Sequence, residues 1–387
     1  VPANDTLRPA AWTFGTFGAF WGTWAVAAVD VERRLRLSHG GLGLLLSASV
    51  AAGGVAAAAF GGLTHRMGTT RSLAAALALW GVCVLGVSVA PGTAAFSILF
   101  ISAMVVAGTV DAAMNTVVGI GARGDPATMV RFHALFNAGA LVGAGATGLL
   151  LYAGSSWRVS WAAVAVACFV LAAACRRAAL PGSVPASRSA PDGGSATVTG
   201  DPDPGRFGWK AVRALHLRTV AGVFLATALV EGGIDTWGVL YLRTHLAAGA
   251  LLGAGAYVIG QAIAVVVRWS SSRHIGRIGA RAGIVTGAAV AAIGLGVEAT
   301  ASAPPLAGLG LVVAVVGAAT TRVGAGRLAA VVGAFTAVGY LGWVAGPALV
   351  GWVADAEGLG AGLVLLAGVA ATAATLLLAT TVLPRAR

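Results

Sequence analysis

Three acids interrupt long apolar runs: Asp111, Glu231 and Asp235. A charge placed in such a run inside a membrane costs several kcal/mol unless it is paired or wetted, so each acid is a candidate for proton or solute chemistry. Asp111 is followed by Asn115 and Glu231 by Asp235, and residues four apart share a helix face. Two carboxyls one turn apart in a low-dielectric wall do not both ionise readily and titrate as a unit. This reading assigns the proton to Glu231, the acid nearest the middle of its run. Asp235 would tune it or contact solute hydroxyls, and Asp111 is a second carrier. The structural alternative for each is a carboxyl hydrogen-bonded across helices. Glu298 falls near the end of its run, and Asp30 and Asp355 fall at boundaries where water reaches them.

Other polar residues could bind solute or form a gate. His133 and Asn137 make a further i, i+4 pair, read as an inner-gate contact to Asp111 or Asn115, or as polar groups at the membrane surface. Gln261 and Tyr340 are candidate hydroxyl-binding groups alongside Asn115 and Asn137. Trp21, Trp24 and Trp237 offer an apolar face for stacking on a ring plus one N–H donor; the alternative is the interfacial aromatic belt, where Trp157 and Trp209 are also placed. Pro347 is expected to kink its helix, as a hinge or as a static bend. Gly139/Gly143, Gly283/Gly287 and Gly342/Gly346 have the spacing that lets helices approach closely.

Composition sets the elements that must carry these groups. Of 387 residues, 58% are hydrophobic and 10% charged, against about 25% charged in soluble domains, and mean hydropathy is +0.88. A soluble enzyme and a disordered chain are excluded. Twelve apolar runs emerge at 11–31, 41–63, 72–90, 94–119, 132–153, 158–175, 219–241, 249–267, 282–301, 305–321, 328–354 and 361–383, each near the ~20 residues that cross a bilayer. The expected fold is an all-α membrane protein of two six-helix bundles, 11–177 and 218–383. A flexible linker, 178–217, joins them, and short tails, 1–10 and 384–387, flank them. Residues 181–208 hold five of the 13 prolines, with Gly, Ser and Asp, a composition that cannot bury a core. Residues 1–10 lack the basic stretch of a cleaved signal.

Charge then orients the chain. With both termini inside, 20 of the 25 Lys and Arg residues fall on the inner side and only Arg33, Arg34, Arg36, Arg158 and Arg243 on the outer, as the positive-inside rule requires. The net charge of +12 is thereby explained without a nucleic-acid partner. Cys83, Cys168 and Cys175 all lie in apolar runs and form no disulfide or metal spacing. No catalytic triad, HExxH or phosphate-binding loop is present, so no cofactor, metal or ATP is expected.

Six plus six helices with a central linker resemble the major facilitator superfamily, and so does the stretch Gly61 to Arg71. The family signature after the second helix is Gly-x-x-x-Asp-Arg-x-Gly-x-x-Arg/Lys. Here Gly61, Arg66, Gly68 and Arg71 match it, and every position agrees except the acid, which is His65. The resemblance implies a gate at Gly61, His65, Arg66, Gly68 and Arg71, with His65 acting by hydrogen bonding alone, and with His133 and Pro347 as further gating residues. Asp111 to Asn115, Met129 to His133, Glu231 to Trp237, Tyr241, Gly339 to Gly342 and Gly346-Pro347 are similar to the YbjJ/MosC-like bacterial branch, linked to sugar- and polyol-type solutes. That branch usually places the acid adjacent to the tryptophan; here Asp235 is two positions before Trp237.

The resemblance implies a secondary transporter of a bacterial cytoplasmic membrane, with both termini in the cytoplasm. It would act by alternating access, as a monomer, and couple protons to uptake of a small sugar- or polyol-like solute. Proton-coupled efflux of an antibiotic or other amphiphile is the alternative, and a membrane sensor that binds without moving solute is a third reading. The fifth helix lacks the Gly-Pro pair of antiporters, which favours import.

Overall fold

The computed structural model describes residues 5–123, 125–178, 180–181, 215–274, 279–329 and 334–379. A 3-10 turn, Asp5–Leu7, leads into α1 (Arg8–Leu35), α2 (His39–Met67), α3 (Thr69–Val89), α4 (Thr93–Gly121), α5 (Pro126–Tyr152) and α6 (Trp157–Arg177). The second half comprises α7 (Leu215–Thr244), α8 (Ala250–His274), α9 (Ala280–Thr300), α10 (Pro304–Ala329), α11 (Ala334–Glu357) and α12 (Leu359–Ala379). Runs this rich in Gly, Ala and Val become helices because in lipid each backbone N–H must find its partner within the segment. The shortest helices have 21 residues, about 32 Å at 1.5 Å per residue. Counted over the described residues, ten of the twelve are long and apolar enough to cross a membrane. Val55, Val89, Val142, Leu149 and Val166 face outward, as a lipid-facing surface requires.

Each of the twelve apolar runs is helical over its described residues, single end positions apart, and several helices extend past the apolar stretch. α8 runs to His274 rather than 267, and α10 to Ala329 rather than 321. Each extension carries two arginines, Arg268 and Arg273 in α8 and Arg322 and Arg327 in α10, that sequence alone assigns to loops. Part of the region read as a linker also belongs to the packed structure: Leu180 N–H donates to Thr70 Oγ1 at 3.3 Å, and Thr69 Oγ1 donates to the Pro181 carbonyl at 2.6 Å. The rest of 178–217 lies mostly outside the described residues.

The two halves repeat one packing scheme. α1 packs on α5, α2 on α4 and α3 on α6; six helices later, α7 packs on α11, α8 on α10 and α9 on α12. The halves meet through α5 with α8, α2 with α11 and α1 with α7, pairs related by the same shift of six. Glycines set the α1/α5 contact: a Cβ on Gly18, Gly22, Gly139 or Gly143 would overlap the backbone of the facing helix. Gly342 and Gly346 do the same for α11 against α7, and Gly287 for α9 against α10. Gly143→Val is therefore expected to destabilise the first half by about 1–3 kcal/mol, read as a lower melting temperature in detergent; an unchanged melt would contradict the close contact.

Capping is concentrated in the loops. Asp125 caps α5, accepting from the N–H groups of Ala127 and Thr128 and from the Thr128 hydroxyl. The hydroxyl bond, with the two amides, holds this exposed carboxyl below its usual range. Arg158 donates to the carbonyls of Ser88 and Ala90 at 3.0 and 2.9 Å, closing the end of α3.

Candidate functional site

The polar groups of the bundle interior converge where α5 and α4 of the first half meet α7, α8, α10 and α11 of the second. α7 supplies Glu231 and Asp235, one turn apart as the spacing implies, and each carboxyl has partners of its own on other helices. Glu231 accepts from Arg322 Nε on α10 and lies 3.5 Å from Arg268 Nη2 on α8. Asp235 instead accepts the Tyr257 hydroxyl of α8 at 2.8 Å. Charge patterning along the sequence places Arg268 and Arg322 in inner loops. The structure turns both into the helix bundle, with the Arg268 side chain 9% exposed. The signal that could have found them is an apolar run that continues past the cation, as in Val323 to Gly326.

Asp111 does pair with Asn115 as its spacing implies: Asn115 Nδ2 donates to Asp111 Oδ1 at 2.9 Å. Its other oxygen accepts the Tyr340 hydroxyl of α11 at 3.3 Å, a bond that crosses between the halves. Asn137 of α5 crosses too, donating from Nδ2 to Gln261 Oε1 of α8 at 2.5 Å, with both residues buried. Among the described residues, neither Asp111 nor Asp235 is in an ion pair.

A cavity of about 20 Å³ lies at this junction, lined by Asn137, Glu231, Asp235, Gln261 and Arg268 with Phe136, Ile234 and Val315. That is room for a water molecule, so a solute enters only when the halves part. Two polar atoms of the lining residues, Arg268 Nε and Asn137 Oδ1, are buried without a hydrogen-bond partner.

Several expected site residues lie elsewhere. Trp24 is fully buried within the first half, stacked on Phe100 at 5.0 Å and on Trp161 at 6.3 Å. Trp237, also fully buried, stands edge-on to His39 at 5.9 Å. Neither lines the central cavity, because the faces of α1 and α7 that carry them turn into helix contacts. Trp157 belongs to the same interior aromatic cluster, 5% exposed, rather than to a surface belt. Trp209 lies outside the described residues. His133 makes no hydrogen bond to Asp111 or Asn115; its ring stands edge-on to Phe14 at 5.5 Å. Gly61, His65 and Arg66 are in α2, and their side chains lie outside the described residues. Gly68 precedes α3 with φ 76°, a conformation glycine adopts readily, and Arg71 is exposed.

A second set of contacts joins the halves at the far end, opposite the start of α1. Asp30 pairs with Arg243 at 2.7 Å, and the same guanidinium donates to the Val26 carbonyl at 3.0 Å. Asp355 accepts from the Ser38 hydroxyl at 2.8 Å and from Gly40 N–H at 3.0 Å. Asp355 is exposed and Asp30 partly so, as expected of boundary residues, and both also tie the two halves together. Pro347 lies inside α11, and the next N–H, Ala348, donates to Ser47 Oγ of α2 at 3.1 Å. Proline breaks the local helix ladder, and a side chain from the opposite half takes up a donor beside it.

Among the described residues no cluster of three His, Cys, Asp or Glu could hold a metal ion. No curated protein matches the chain. Solved structures share its fold at low identity. The human organic anion transporter MFSD10 (TETRAN) is 15% identical with a TM-score of 0.69, covering 97% of this chain and 100% of its own. A bacterial homolog of the human lysosomal transporter Spinster, in an inward-facing and unoccupied conformation, is 13% identical with a TM-score of 0.73, over 96% and 95%. The nucleoside transporter NupG is 13% identical with a TM-score of 0.70, over 97% and 98%. The family model described as Major Facilitator Superfamily matches residues 11–324. A repeated six-helix scheme around a polar junction, carried by a sequence that matches this family over most of its length, makes the chain a multi-pass membrane transporter of the Major Facilitator Superfamily, and not an enzyme.

Proposed function

We propose that this transporter couples protons to the uptake of a small hydroxylated solute, sugar- or polyol-like, by alternating access. It would act as a monomer in a bacterial cytoplasmic membrane, with both termini in the cytoplasm. The branch resemblance carried by Asp111 to Asn115 and Glu231 to Trp237 supports the solute class. The observation that carries the coupling is the placement of Asp111 and Asp235. Each lacks an ion-pair partner among the described residues, and each accepts a tyrosine hydroxyl next to a cross-half contact. Tyr340 itself reaches across from α11, while Tyr257 sits one turn from Gln261, which holds Asn137 of the other half. Protonation of either acid changes what its tyrosine can donate to, and so biases whether the halves stay together.

Glu231, flanked by two guanidiniums, is better suited to hold a fixed charge than to carry the proton, and the carrier role passes to Asp235 and Asp111. One proton moving down a gradient of one pH unit supplies about 1.4 kcal/mol, enough for roughly tenfold accumulation. Asp111→Asn and Asp235→Asn are expected to retain exchange of internal for external solute in proteoliposomes while losing that accumulation. Uphill transport surviving in both variants would refute the coupling; loss of exchange in the unsubstituted protein would refute transport of that solute.

A further inference from the structure

The central cavity holds more cationic hydrogen-bonding capacity than its protein partners use. Arg268 and Arg322 share the single carboxylate of Glu231, whose two oxygens are thereby both engaged. A guanidinium has five N–H donors, yet Arg268 makes no hydrogen bond from its side chain among the described residues, and its ion-pair contact with Glu231 is as long as 3.5 Å. Its Nε is buried and unpartnered. A buried donor left unmade costs about 1–3 kcal/mol, and more when charged, so such an arrangement persists where another acceptor completes it. Asn137 Oδ1, which belongs to a residue lining the same cavity, is buried and equally unpartnered. Phe136, Ile234 and Val315 add apolar surface to a lining that also holds Glu231, Asp235 and Gln261.

We propose that the solute is a hydroxylated carboxylate, a sugar-acid-like anion whose carboxylate is bound by Arg268 with Arg322 and whose hydroxyl donates to Asn137 Oδ1. This rests on the transport reading and narrows its solute class. Guanidinium and carboxylate match as a planar fork, and Asn137 Oδ1 requires a donor, which a hydroxyl next to the carboxylate supplies.

Charge counting links this solute to the proton. Arg268, Glu231 and Asp235 line the cavity, and Arg322 pairs with Glu231. Asp111 and His133 lie within electrostatic reach of Arg322, and the hydroxyls of Tyr257 and Tyr340 donate to Asp235 and Asp111. Three ionised carboxyls already outnumber two guanidiniums, and an entering anion would add a fourth negative charge. With Asp235 and Asp111 protonated, Glu231 and the anion together balance the two arginines. The anion therefore enters with protons, and binding tightens as pH falls.

The test uses the purified full-length chain and matched probes: D-gluconate against D-glucitol and D-glycerate against glycerol, with L-serine as a zwitterionic control. Binding is read by thermal stabilisation and calorimetry at pH 5.5 and pH 8. At least one acid of the two pairs is expected to bind roughly tenfold to hundredfold tighter than its alcohol, the range of a charged hydrogen bond, and more tightly at pH 5.5. Arg268→Gln should remove that preference and Arg268→Lys should keep part of it. The comparison within the unsubstituted protein needs no variant to fold. Alcohols binding as well as their acids, neither acid binding, serine alone binding, or a preference unchanged in Arg268→Gln would each overturn the assignment. Counterflow of whichever probe binds separates the two claims: an alcohol that binds and exchanges leaves transport standing and the anion assignment refuted. An acid that binds but does not exchange leaves the assignment standing and refutes transport.

Discussion

Replacing Glu231 by glutamine is expected to cost the protein its fold before it costs the protein its coupling. Arg268, 9% exposed, and Arg322, 34% exposed, share this one carboxylate. Removing one partner of a buried ion pair typically costs about 3–5 kcal/mol, because the remaining charge stays buried and unpaired. That is a large part of the ~5–15 kcal/mol that holds a typical protein folded. Spacing alone gives Glu231 the proton, and its neutral replacement would then spare the fold; two guanidiniums beside it reverse that expectation. Glu231→Gln should lower the melting temperature by roughly 6–10 °C and reduce the monodisperse fraction in detergent. Glu231→Asp should recover part of the loss, and the double change Glu231→Gln with Arg322→Gln should recover more than half, since it restores the charge count. An unchanged melt for Glu231→Gln would mean that the three side chains do not share one site.

The second large effect is expected at the far end, where Asp30–Arg243 and the bonds to Asp355 hold the halves together. Arg243 is 10% exposed and also donates to the Val26 carbonyl, so its loss removes an ion pair and a charged hydrogen bond together. Such bonds contribute about 1.5–3 kcal/mol each where water is excluded. A net loss of about 2 kcal/mol would shift the balance between open and closed far ends by roughly thirtyfold. Spin labels at Ser155 and Ser302, in exposed loops of opposite halves at this end, report it. Arg243→Gln should broaden their distance distribution toward longer separations. An unaltered distribution would show that the pair does not hold that end closed.

What sequence makes legible here is whatever depends on neighbours along the chain. The twelve helices follow from apolar runs because a helix satisfies its own backbone, and Asp111 with Asn115 follows from a one-turn spacing. Gly139 and Gly143 are readable as a close-packing face for the same reason. Partners far along the chain are not readable this way. Arg268 and Arg322 lie 37 and 91 residues beyond Glu231, and only the packing of α7 against α8 and α10 brings them to it. Each also ends an unbroken apolar run, so each reads as a loop cation until the helix is seen to continue. The placement of Trp24 and Trp237 away from the cavity is unreadable for a related reason. α1 and α7 are apolar on most faces, and nothing in their pattern separates the face toward the cavity from the face toward neighbouring helices.

Proton-coupled uptake requires solute and proton to move together through the junction of α5, α7, α8, α10 and α11. The most direct measurement is internal pH in proteoliposomes carrying an entrapped pH-sensitive dye, followed after the solute that stabilises the purified protein is added outside. The account predicts acidification inside that tracks solute entry, is abolished in Asp235→Asn, and reverses when the solute gradient is reversed. Solute entry with no accompanying proton movement would contradict it.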